Sequence, residues 1–303
     1  MAKEQTMTAQ PITTSLSIKE KPQSSWLQRL GLFIVFLVCG LAIFIFGSNY
    51  FDIFPTNKNL PYNVIVSVVF LIAALTLRLI KNWSKYWQIA FAFFIASVAF
   101  PVTLIFSDWT DTVLIWFKET TLSSHGLAIA KLYEMTLVVL PILVLTKLSR
   151  SGLGSIYIKR GNLKMGLGFG AIVFFNFATS AFLFFAERFT SIDRLVAATI
   201  WGLVFSFANG FLEELWLRGI FLKRFEPILG VGNSVLLTSI IFGLMHGGAV
   251  YLMPAALPFM VANTFTLGLA CGYLMMKSDS IWGAVLIHAA ADFFLFIAML
   301  ANA

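Results

Sequence analysis

Near the end of a long apolar run the chain places two carboxylates and an arginine together: Glu213, Glu214 and Arg218. Charge at bilayer depth is costly, so an ionisable residue kept there marks a functional site that needs a partner. Glu214 and Arg218 are four residues apart; on a helix they share a face and can form an ion pair. Glu213 stands about 100° away round the same helix and cannot share that arginine equally. The spacing therefore divides the acids. Glu214 and Arg218 become structural support, and Glu213 is left in apolar surroundings as a general base. The alternative is that all three lie at the interface and reach water from a helix end.

Two later runs carry the remaining chemistry. One ends in Phe242-Gly243-Leu244-Met245-His246, and the other holds His288 and Asp292, again four apart. Taken singly, each has a structural reading: His246 as a hydrogen-bonded residue at a helix end, His288 and Asp292 as a pair that pins one helix to its neighbour. Taken together, Glu213, His246, His288 and Asp292 are a sufficient hydrolytic set, a carboxylate base plus donors for developing negative charge. The same four side chains are competent zinc ligands, although no His-Glu-x-x-His helix marks a metallopeptidase. His125 has no acidic motif beside it and is set aside. Cys39 and Cys271 lie far apart in apolar runs and read as small packing residues. Asn209, Asn233 and Asn263 are read as inter-helix hydrogen bonds of about 0.6 kcal/mol each.

Composition dictates what must position these residues. The 303 residues are 59% hydrophobic and 12% charged, against about a quarter charged in a soluble domain, so the chain is built for lipid. Nine runs are long enough to span: Trp26–Gly47, Tyr62–Leu77, Trp87–Phe106, Leu127–Thr146, Met165–Phe185, Leu195–Leu217, Val231–Gly248, Ala255–Met276 and Ile281–Leu300. A barrel would need short alternating segments, so the fold class is an all-α polytopic transmembrane bundle. Lys131 and Glu134 shorten the fourth run; an ion pair between them is the simplest account, and an interfacial helix there would leave eight spans.

Basic residues cluster at alternate run ends: Arg78, Lys81 and Lys85, then Lys147 to Lys164, then Lys223 and Arg224. That pattern is a topology signal and implies no nucleic-acid partner. It puts the N terminus in the cytoplasm and the acidic pair near that face. Residues 1–25 are expected to form a disordered tail ahead of an uncleaved first helix. The hydrophilic link from Ser149 to Lys164 divides helices 26–150, of unknown role, from a C-terminal set.

The motifs Glu213-Glu214-x-x-x-Arg218, Phe242-x-x-x-His246 and His288-x-x-x-Asp292 resemble those of the CPBP intramembrane protease family, which includes the CAAX prenyl endopeptidases and the Abi-type proteins. The run Phe265-x-x-Gly268-x-x-x-Gly272 and the loop Lys159 to Lys164 are also similar. The resemblance covers residues 155–303. It implies a metal-independent glutamate peptidase in which Glu213 and His246 activate water, while His288 and residue 292 steady the oxyanion. The family carries Asn or a similar residue at position 292. An Asn donates a hydrogen bond there, whereas an ionised Asp cannot. Asp292 is therefore expected either to stay protonated or to accept from a ring N–H of His288, and the second is preferred.

The resulting expectation is an endopeptidase in a bacterial cell membrane, acting on a membrane-held and possibly prenylated peptide or protein. Two other classes stay open. One is an inactive scaffold or immunity protein, in which Glu213 matters for stability. The other is a proton-coupled transporter, although no internal repeat supports it.

Overall fold

The computed structural model describes residues 25–48, 51, 53–113, 123–248 and 256–301. The expected tail lies outside these apart from Ser25, whose Oγ accepts the Gln28 amide (3.2 Å) and caps the first helix. Nine helices among the described residues are long and apolar enough to cross a membrane. They are α1 (Trp26–Phe44), α2 (Thr56–Leu79), α3 (Trp87–Val113), α4 (Ser124–Leu148), α5 (Leu163–Phe185), α6 (Ile192–Glu214), α8 (Val231–Met245), α9 (Leu257–Ser278) and α10 (Trp282–Ala301), with a short α7 (Leu222–Leu229) between the sixth and seventh. The chain is an all-α, multi-pass integral membrane protein. Its fourth run is a full-length helix in which Lys131 pairs with Glu134 at 2.6 Å.

Helix starts follow from local chemistry. Ser123 Oγ accepts the Gly126 amide to cap α4, Asn162 Oδ1 accepts that of Met165 to cap α5, and Ser191 Oγ accepts that of Arg194 to cap α6. Pro258 sits in the first turn of α9, where its missing N–H breaks no helical bond.

Glycines let the C-terminal helices approach closely. A Cβ on Gly283 of α10 would lie 2.6 Å from the Gly166 carbonyl oxygen of α5, and one on Gly170 would lie 2.9 Å from the Gly283 carbonyl. Backbone cannot swing aside as a side chain can, so Gly283→Ala must push α5 and α10 apart. A loss of about 1–3 kcal/mol is expected. It should appear as a lower thermal midpoint of the purified protein in detergent, and an unchanged midpoint would contradict this packing.

The N-terminal helices hold the helix that bears the acidic pair. Trp216, two residues past Glu214, donates from Nε1 to the Ala96 carbonyl of α3 (2.9 Å). Its ring packs against Phe44 of α1 and Phe100 of α3, with centroids 5.1 and 4.9 Å apart. Phe36 stacks on Phe225 of α7 (5.1 Å), and Phe93 meets Phe221 (5.1 Å). Each pair adds roughly 0.5–1.5 kcal/mol beyond its area.

Beyond the membrane-spanning helices, the loop before α5 fastens to the turn between α9 and α10. Ile281 N donates to the Tyr157 carbonyl (3.1 Å) and Ser280 Oγ to that of Lys159 (2.9 Å). Asp279, at φ 52°, pairs with Lys159 and, at 2.7 Å, with Lys223 of α7. Burial alone would raise the Asp279 carboxyl, but hydrogen bonds from Lys159 and Lys223 outweigh it and hold it below the usual carboxylate range. The turn that launches α10 is thereby tied to the segment following α6.

Candidate active site

Glu213 and Glu214 occupy the last turn of α6, and residues 215–219 continue it as a single π turn. Such widened turns concentrate at functional sites. This one carries Arg218, whose Nη1 donates to Glu214 Oε1 at 2.6 Å with both side chains fully buried. The guanidinium lies 4.2 Å from the ring centroid of Phe242 on α8, a cation–π contact in a desolvated place. A Cβ on Gly268 of α9 would come within 2.9 Å of Arg218 Nη2. Gly268 thus leaves the space in which the guanidinium is seated.

The same Glu214 oxygen meets His288. His288 Nδ1 lies 2.7 Å from Glu214 Oε1, so the chain Arg218–Glu214–His288 orients this imidazole from behind. Its other nitrogen, Nε2, points to Glu213 Oε2 (3.5 Å) and Asp292 Oδ2 (3.7 Å). The i,i+4 spacing predicts a His288 ring N–H bonded to Asp292, one helical turn away. The structure differs because α6 crosses α10 at Gly210, where a Cβ would be only 3.2 Å from the Val285 carbonyl and the Ala289 nitrogen. That approach brings Glu214 closer to His288 Nδ1 than Asp292 comes to either ring nitrogen.

His246 sits just past α8. Its Nδ1 is 2.9 Å from the Phe242 carbonyl, and a carbonyl only accepts, so Nδ1 carries a proton and Nε2 is the nitrogen turned to Glu213. That Nε2 is 3.9 Å from Glu213 Oε2. The Phe242 ring packs edge-on against both imidazoles, with centroids 4.5 Å from His246 and 5.5 Å from His288. Glu213 Oε2 is buried and has no hydrogen bond from the protein. Its distances to the two Nε2 atoms are longer than those of good direct hydrogen bonds.

Asp292 accepts from Asn209 Nδ2 at 2.9 Å. With Glu213, His246 and Lys131, these two residues line one cavity of about 210 Å³, walled elsewhere by apolar side chains such as Phe205 and Met260. Larger cavities exist; one of about 620 Å³ between α1, α2 and α3 is lined by no acid or histidine. The smaller one is where the titratable groups converge. Among the described residues, no group of three or more His, Cys, Asp or Glu side chains is arranged to hold a metal ion.

The fold thus brings Glu213, His246, His288 and Asp292 together, with Glu214 and Arg218 behind them. His125 stays apart, beside Trp201. Two further residues that line the cavity are not singled out by the motifs. Lys131 reads from its spacing as a partner of Glu134, yet a cation inside an apolar run is itself a signal. Asn209 reads as an inter-helix bond, yet it stands one turn before Glu213 and so on the same face.

Residues 195–294 match the family model for type II CAAX prenyl endopeptidase, Rce1-like. This is the family group that the motifs resemble, and it is a protease family. Glu213, Glu214, Arg218, His246, His288, Asp292 and Asn209 all lie within the matched segment, whereas Lys131 and α1 to α5 lie outside it. No curated protein and no solved structure matches the chain.

Proposed function

We propose that the chain is an intramembrane endopeptidase that hydrolyses a peptide bond of a membrane-held, prenylated peptide or protein with a water activated by Glu213. The observation that carries this reading is the convergence of Glu213, His246 and Asp292 on one largely apolar cavity, with His288 Nε2 3.5 Å from Glu213, within a segment matching a CAAX protease family. Glu213 takes a proton from water as the water oxygen bonds to the scissile carbonyl carbon. His246 Nε2, beside Glu213, holds that water by accepting its second hydrogen. The carbonyl oxygen becomes an oxyanion, and His288, with Nδ1 fixed by Glu214 and Nε2 directed toward Glu213, steadies it. As the C–N bond breaks, the proton held by Glu213 passes to the departing amine nitrogen. No metal is required in this scheme.

The test uses purified protein in detergent and a quenched fluorogenic peptide ending in a prenylated Cys-aliphatic-aliphatic-X sequence. One new N terminus should form, identified by mass, and cleavage should persist with 1,10-phenanthroline. His246→Ala should lower kcat by about 10²–10⁴. Loss of wild-type cleavage on chelation, restored by zinc, would replace the Glu213 mechanism with a metal one. Ion flux in proteoliposomes with no peptide cleaved would favour a transporter.

A further inference from the structure

Asp292 leaves the proposed site one donor short. An ionised carboxylate facing the cavity accepts hydrogen bonds only and repels an oxyanion. The residue that contacts it has the missing property. Asn209 lies on α6 four residues before Glu213, and the two share the cavity with His246 and Asp292. Its Nδ2 donates to Asp292 Oδ2 at 2.9 Å. A primary amide has two N–H donors, and the carboxylate uses one of them. Asn209 Oδ1 is buried with no hydrogen bond inside the protein, which is destabilising for an acceptor left in that condition. A helix-facing amide kept only to join α6 to α10 would be expected to use both ends. This one, in a residue that lines the cavity, has an N–H and an oxygen with no partner in the protein.

We infer that Asn209 is the substrate-facing amide of this site: its second Nδ2–H binds the carbonyl oxygen as it becomes an oxyanion, and Asp292 holds the amide in that orientation. The inference rests on the endopeptidase reading above. Asp292 then has the role of an orienting carboxyl group, with Oδ2 taken up by Asn209 Nδ2. The arrangement also accounts for an acid at position 292. An ionised carboxylate selects the nitrogen end of the Asn209 amide, where a neutral residue would accept either end.

The experiment compares Asn209→Ala and Asn209→Ser with wild type on the same prenylated fluorogenic peptide. Serine keeps a polar group at this place on α6 but has one hydroxyl proton and no second donor. Both variants should lose about 10²–10³ in kcat, the size expected for one oxyanion donor, with KM and the thermal midpoint close to wild type for Asn209→Ser. If Asn209→Ala does not fold, Asn209→Ser decides alone. A folded variant with wild-type kcat, or one whose loss lies entirely in KM, overturns the role of Asn209 and leaves the endopeptidase reading standing. A wild-type protein that cuts nothing overturns both.

Discussion

Glu213→Gln is expected to abolish turnover while leaving the protein folded. Gln matches Glu in shape but cannot take a proton from water, so the substitution removes the proposed base and little else. Glu213 Oε2 has no hydrogen bond from the protein to lose, and its nearest polar neighbours are 3.5 and 3.9 Å away. A general base contributes about 10²–10⁴ to the rate, and kcat on the fluorogenic peptide should fall by that factor. The thermal midpoint should stay near that of wild type, or rise, since a charge has left a buried place. Full activity in this variant would refute the assignment. A lower midpoint beside unchanged turnover would point instead to a structural cluster, as in a scaffold protein.

Arg218→Met should produce the opposite pattern, a large loss of stability. Arg218 and Glu214 are both fully buried and joined at 2.6 Å. Taking away one member of such a pair leaves the other charge unbalanced, at a cost of about 3–5 kcal/mol. The cation–π contact with Phe242 is lost as well. Part of the effect should be reversed by Arg218→Met combined with Glu214→Gln, because two neutral residues do not leave a naked charge. Activity should not return with stability, since His288 Nδ1 would then face an amide in place of the carboxylate at 2.7 Å. Denaturant or thermal unfolding in detergent measures the first effect and peptide cleavage the second. An Arg218→Met protein as stable as wild type would show that the pair supports neither helix nor histidine.

These two outcomes separate what neighbouring acids do. Glu213 meets the cavity, and Glu214 meets the residues behind it. That division is legible in the sequence itself, because an i,i+4 pair and a 100° offset are properties of a single helix. So are the nine spans. A helix rises 1.5 Å per residue and a bilayer core is about 30 Å thick, so run length and composition determine them locally. The residue types able to do hydrolysis are legible for the same reason: charge and imidazole stand out in an apolar run.

Which helix faces which is not written in the sequence in this way. In lipid, core-facing and lipid-facing positions are both apolar, so hydrophobic periodicity does not mark the contact side. Only the tertiary structure decided that His288 is held by Glu214 and not by Asp292, through the close crossing at Gly210. It alone decided that Asn209 meets Asp292, that Gly268 makes room for Arg218, and that Trp216 ties the π turn to α3. Each of these contacts joins residues far apart in sequence, and at Gly210 and Gly268 the lack of a side chain is what makes the room.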